Sequence, residues 1–162
     1  MGEPAPEFDH YDEDVARGLV QAHARAAGLP GWLGIRLVET WPGGLCAQVE
    51  VRDELLTPFR NLHGGVLAAL VDHVLGTVCY PVMPAGSWAA TTEFKLNYLA
   101  PVTGGILSAV AEVVSLTKRT AVVRIAVTNS TGPGGRPDDS ARLVCSAQGT
   151  VLVMAPKARP EG

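Results

Sequence analysis

One carboxylate, Asp72, stands in the middle of the apolar run NLHGGVLAALVDHVLG (61–76), seven residues after the second of two glycines. A Gly-Gly pair just before a helix lets the backbone come close to a ligand. The N–H groups of a first helical turn point outward, with the positive end of the helix dipole behind them. Such a start can hold an oxyanion; equally, Gly64 and Gly65 can serve only a tight turn. With Ala69, Val71, Leu75 and Gly76 as helical neighbours, Asp72 reads as a buried carboxylate. Ionised carboxylates are almost never buried without partners, so Asp72 either pairs with a group distant in sequence or works as a base or nucleophile.

Spacing then makes a demand. At 100° per residue Gly65 and Asp72 share a helix face, but at 1.5 Å per residue they stand roughly 10 Å apart along the axis. One reacting carbonyl cannot touch both at about 3 Å. If both act on it, one comes from a second helix running antiparallel in a two-fold dimer, and the site is expected between subunits. His63 falls on the face opposite Asp72, at or before the helix start, where it caps or packs rather than acting as a base. His73 is offset by about 100° from Asp72 and is expected to be structural. No serine lies in a GxSxG elbow, and a Cys–His nucleophile would need Cys79 and a distant ring.

The elements that position these residues follow from pattern. Residues 12–28 carry Val15, Leu19, Val20 and Ala26 at helical spacing behind an acidic first turn, with Gly28 and Pro30 as the stop. From 32 to 52, WLGIRLVET and LCAQVEVRD flank the turn cluster WPGG and predict a hairpin. After the apolar helix come four strand-like runs, 89–101, 106–116, 119–129 and 141–154. The breaks between them suit antiparallel hairpins, and the longest, STGPGGRPDDS (130–140), is expected to be a flexible tip. One apolar helix against roughly six antiparallel strands predicts an α+β fold in which a curved sheet wraps the helix. A helix apolar on all sides must be covered on all sides, so a second subunit is expected to close what the sheet leaves open.

The chain has 162 residues, 47% hydrophobic and 18% charged, with a formal net charge of -3. One domain suffices, and scattered basic residues offer no footprint for nucleic acid. The acidic, proline-containing start is unlike a secretion signal, and no segment reaches about 18 apolar residues without interruption, so no membrane association is expected. Cys46, Cys79 and Cys145 are odd in number and far apart, which predicts reduced core residues and a cytoplasmic location. The histidines lack HExxH or paired Cys/His spacing, so neither a metal nor another cofactor is expected.

With HGGVLAALVD, TTEFKLNYLAPVTGG and RLVCSAQGTVLVM in view, residues 31–154 resemble the hotdog-fold acyl-CoA thioesterases, in particular the PaaI-like branch related to the 4-hydroxybenzoyl-CoA thioesterase family. The resemblance implies a hotdog domain over 31–154, an N-terminal segment over 1–30 and a flexible tail over 155–162. It implies an acyl-CoA substrate, a homodimer with sites across the subunits, and a dimer of dimers, a homotetramer, beyond that. By position it makes Asp72 the nucleophile or general base, Gly65 the oxyanion donor, and Thr91 the hydroxyl that helps position water. His63 and Gly64 then border the substrate. Six residues before His63, where the family usually has Asn or Gln, this chain has Thr57, and Asn61 is the nearest substitute. The turn that in the family pairs Gly with a basic residue near the CoA phosphates is here Lys118-Arg119. Two other readings stay open: a non-catalytic acyl-CoA binding protein, to which Thr57 points, and a hotdog hydratase or dehydratase.

Overall fold

The computed structural model describes residues 7–131 and 141–156. Two short helices, α1 (Glu13–His23) and α2 (Gly28–Leu33), precede the hairpin β1 (Arg36–Trp41) and β2 (Gly44–Glu50). The long helix α3 (Gly64–Thr77) follows, and then β3 (Trp88–Tyr98), β4 (Ile106–Leu116), β5 (Thr120–Ser130) and β6 (Arg142–Met154). All pairings are antiparallel, in the order β1-β2-β4-β5-β6-β3. This is the expected architecture.

The expected N-terminal helix over 12–28 is shorter. Asp12 caps it, its carboxylate accepting from the N–H groups of Asp14 and Val15 at 3.0 and 2.9 Å. The helix ends at His23, and Gly28, at φ 65°, opens the separate turn of α2. Gly34 in the left-handed region then closes α2, so β1 starts at Arg36 rather than Trp32. Residues 132–140 of the expected hairpin tip and 157–162 of the expected tail lie outside the described residues.

The sheet curves around α3 because one face of its central strands is apolar without a break. Leu107, Ala109, Ala111 and Val113 of β4 and Ala121, Val123, Ile125 and Val127 of β5 are all buried. Against them pack Leu70, Val71, Val74 and Leu75 of α3, each with no exposed surface. Burying such side chains contributes about 1.5–3 kcal/mol apiece. The stretch Gly64–Val82 is long and apolar enough, by composition, to cross a bilayer, but 61% of it is buried within the fold.

That burial is one-sided. Gly65 and Asp72 are exposed, and Ala68, Ala69 and Gly76 are half-buried. At 100° per residue these five form one stripe down the helix. The expectation that Asp72 is buried therefore fails within the protomer. Its apolar sequence neighbours point sideways or inward, and the residues sharing its own face are small.

Candidate active site

The start of α3 is shaped by His63, the N-cap. Its Nδ1 accepts from the Gly65 N–H at 2.9 Å, and its backbone C=O accepts from Val66 N–H at 2.9 Å. The capping expectation for His63 thus holds, with a consequence for Gly65. The N–H assigned to an oxyanion is engaged by the imidazole, which must yield before a carbonyl can take its place. Nδ1 acts as an acceptor here, so the neutral ring carries its proton on Nε2.

Tyr98, the last residue of β3, closes this end of the helix from the sheet side. Its hydroxyl donates to Gly64 C=O at 3.1 Å. A Cβ built on Gly64 would lie 2.9 Å from that hydroxyl and 3.0 Å from the ring carbon bearing it. A larger residue at Gly64 would therefore have to displace the tip of the Tyr98 ring. An open cleft of about 540 Å³ lies here, lined by His63, Gly64, Gly65 and Tyr98 with apolar walls from Leu67 and Val102. In the sequence Tyr98 stands out only as the aromatic that ends a strand run, separated from Pro101 by two residues, with no role in the site. The signal available was its place at the end of a strand, immediately before LAP.

A β-bulge decides where Thr91 faces. Thr91 pairs with Val151 and Glu93 with Thr150, so Thr92 is the extra residue, and its hydroxyl donates to Thr150 C=O at 3.0 Å. Cross-strand partners share a sheet face, and Val151 is buried toward the helix. Thr91 therefore lies on the helix-facing side together with Phe94, whose partner Gly149 abuts Leu75. Three residues apart on a regular strand, Thr91 and Phe94 would face opposite ways. Gly76 lies 3.9 Å from the Ala89 side chain, measured from a Cβ built on it, and Gly64 lies under Tyr98. The exposed stripe of α3 thus runs beside β3, with Asp72 between those two contacts.

Other expected site residues are not brought together. Thr57 Oγ1 accepts from the Phe59 N–H at 3.3 Å, and Thr57 N–H donates to Asn61 C=O at 2.7 Å, closing a small turn. Neither Thr57 nor Asn61 lines the cleft. The turn exposes Phe59, places Arg60 at φ 65° and engages the Thr57 hydroxyl oxygen as an acceptor. Lys118 and Arg119 sit at the opposite end of the protomer. Arg119 C=O accepts from Val153 N–H at 2.8 Å, next to the Trp88 end of β3. From Trp88 to Tyr98 the strand spans about 33 Å at ~3.3 Å per residue, so these cations cannot serve the Gly65 end of their own chain.

His73 is tied to the N-terminal helix. His23 and His73 approach through their Nε2 atoms at 2.6 Å, with ring centroids 4.9 Å apart and edge-on. His23 Nδ1 lies 2.7 Å from Leu19 C=O, an acceptor only, so Nδ1 holds the proton. With neutral rings, His73 Nε2–H then donates to His23 Nε2. Burial, reinforced by His23 and partly opposed by Asp72, pushes His73 from 6.5 down to about 4. Burial also raises the thiols of Cys46, Cys79 and Cys145, Cys79 to about 12, which disqualifies them as nucleophiles. Among the described residues no group of three or more His, Cys, Asp or Glu could hold a metal.

Residues 59–135, which contain the helix, its glycines, Asp72 and β3, match the model of the Thioesterase superfamily. Over those residues, just under half of its length, the chain is similar to that superfamily. It is 29% identical over 126 residues to a 1,4-dihydroxy-2-naphthoyl-CoA hydrolase of Listeria monocytogenes, covering 78% of this chain and 95% of the relative. In fold it is similar to the thioesterase HI1161 of Haemophilus influenzae, with TM-score 0.76, 21% identity, and 90% and 94% of the two chains covered. It is also similar to the PaaI protein of the E. coli phenylacetic acid degradation operon, with TM-score 0.74, 22% identity, and 88% and 96% covered. The hotdog architecture is thus common to all three structures.

Proposed function

We propose that the protein is an acyl-CoA thioesterase that works as a two-fold dimer, with each site built from both subunits. The observation that carries this reading is the open stripe of α3. On a helix otherwise wrapped by the sheet, Gly65 and Asp72 are left exposed on one face, beside the unpaired edge of β3. Eleven residues long and mostly exposed, β3 presents free backbone groups that natural proteins cover or pair. Antiparallel pairing with the partner's β3 would satisfy that edge and bring two α3 helices side by side in opposite directions. Asp72 of one chain then approaches the glycine start of the other.

In such a site the thioester carbonyl takes the Gly65 N–H from His63, and negative charge developing on its oxygen is held there. Asp72 of the facing helix attacks the carbonyl carbon or removes a proton from water that does so. The C–S bond breaks and CoA leaves as the thiol, with the proton that Asp72 took from water. After direct attack, CoA leaves with a proton from solvent, and water then cleaves the acyl–Asp72 anhydride to release the free acid. Thr91, on the helix-facing side, would help orient that water. The same antiparallel pairing carries Lys118 and Arg119 from the far end of one protomer toward the cleft of the other, where they suit the CoA phosphates. Further pairing into a dimer of dimers would cover Leu152 and Met154, which β6 leaves partly exposed. Three buried, unpaired cysteines suit a reducing cytoplasm.

The place of Thr57 in its own turn, outside the cleft, favours a second reading, an acyl-CoA binding protein without turnover. The capping of Gly65 by His63 and the pairing of His73 with His23 leave both histidines committed, which weighs against hydratase chemistry. A thiol-release assay over a panel of acyl- and aryl-acyl-CoAs, with Asp72→Ala as control, separates the readings. Release by the wild type and none by the variant is expected. Tight acyl-CoA binding without release by the wild type would replace hydrolysis with binding.

A further inference from the structure

Gly64 C=O and Gly65 N–H are the two ends of one peptide unit. Tyr98 Oη–H donates to that carbonyl at 3.1 Å, and the N–H at the other end faces the acceptor in the cleft, His63 Nδ1, at 2.9 Å. We propose that Tyr98 is a positioning residue for the thioester reaction. Its hydroxyl orients the Gly64–Gly65 peptide and strengthens the Gly65 N–H as an oxyanion donor. This rests on the thioesterase reading above, and it assigns a role to a side chain that touches the donor's peptide rather than the reacting atoms.

A hydrogen bond accepted by a peptide oxygen draws electron density from the nitrogen, so the N–H at the other end becomes a better donor. Chains of hydrogen bonds gain about 10–30% per bond in this way. The orientation is as well built as the polarisation. Tyr98 is the last residue of β3, pairs with buried Cys145, and holds its ring tip about 3.0 Å from where a Cβ on Gly64 would lie. The end of β3 thus meets the helix start through one ring, whose hydroxyl bonds the carbonyl of that peptide and so bears on its tilt. Removing a whole oxyanion donor costs about 10²–10³ in rate. A bond that contributes about 10–30% of a donor's strength is then worth about two- to eight-fold.

The test is Tyr98→Phe, which keeps the ring and removes only the hydroxyl. Expected are a two- to eight-fold lower kcat on the best acyl-CoA, an unchanged KM and an unchanged unfolding temperature. In the NMR spectrum of the free protein, the Gly64 carbonyl carbon and the Gly65 amide proton should both move upfield. Tyr98→Ala, which also removes part of the cleft wall, should raise KM in addition. The NMR arm needs no turnover, so it decides the Tyr98 contact even if the wild type proves to hydrolyse nothing. Unmoved Gly64 and Gly65 resonances in Tyr98→Phe would overturn the proposal. So would moved resonances with full kcat in an active enzyme, because the peptide would then be polarised without effect on the reaction.

Discussion

The two faces of α3 obey different rules. Leu70, Val71, Val74 and Leu75 meet the sheet with no surface exposed, and they tolerate only shapes that fill the same space. Gly65, Ala68, Ala69, Asp72 and Gly76 lie a short rotation away around the same helix, and the protomer leaves them uncovered or half-covered. The inner face holds the fold together. The outer face contributes little to it, which frees its residues for chemistry and for a partner.

Substitutions on the two faces should separate stability from turnover. Leu70→Ala is expected to cost about 2–5 kcal/mol of stability, read by denaturant unfolding, while the molecules that remain folded keep their kcat. On the other face, Asp72→Asn should lower kcat by about 100-fold or more, ~2.7 kcal/mol of barrier, with little change in unfolding temperature or acyl-CoA affinity. A strongly destabilised Asp72→Asn, or one that keeps most of its turnover, would erase the distinction.

A smaller effect is expected where the two ends of the molecule are compared. If antiparallel pairing brings Lys118 and Arg119 to the partner's cleft, replacing both with Ala should raise KM for acyl-CoA several-fold with kcat nearly unchanged. The loss should shrink with added salt, which screens exposed charges beyond about 8 Å at physiological ionic strength, and it should be absent for an acyl-pantetheine. Equal losses on both substrates would assign the turn to the fold instead.

The smallest effect concerns the side of α3 that meets α1. The folded pKa of His73 lies below its ordinary 6.5, near 4, so the unfolded chain takes up the proton more readily. The contribution of neutral His73 is therefore complete above pH 6.5 and is lost as pH falls toward 4. The unfolding temperature should drop by several degrees over that window, and His73→Phe should flatten the drop relative to wild type. An identical acid profile in the variant would mean that other groups set it.

Much of this was legible without coordinates. Alternation in 106–116 and 119–129 locates β4 and β5 to within a residue, because strands with one face on a core must place apolar side chains at every second position. Helical arithmetic alone puts Gly65 and Asp72 on one face, since seven residues close nearly two turns whatever the surroundings. It could not tell that this face is open. Burial depends on what packs against the helix, and apolar neighbours in sequence describe the other sides of the cylinder. The facing of Thr91 turned on one extra residue in β3, which no periodicity reveals. The same holds for Tyr98 over Gly64 and His23 against His73, contacts between residues 34 and 50 positions apart. Local sequence determines period, caps and turns because those are interactions between near neighbours. Only the folded sheet decides which peptide lies beneath which ring.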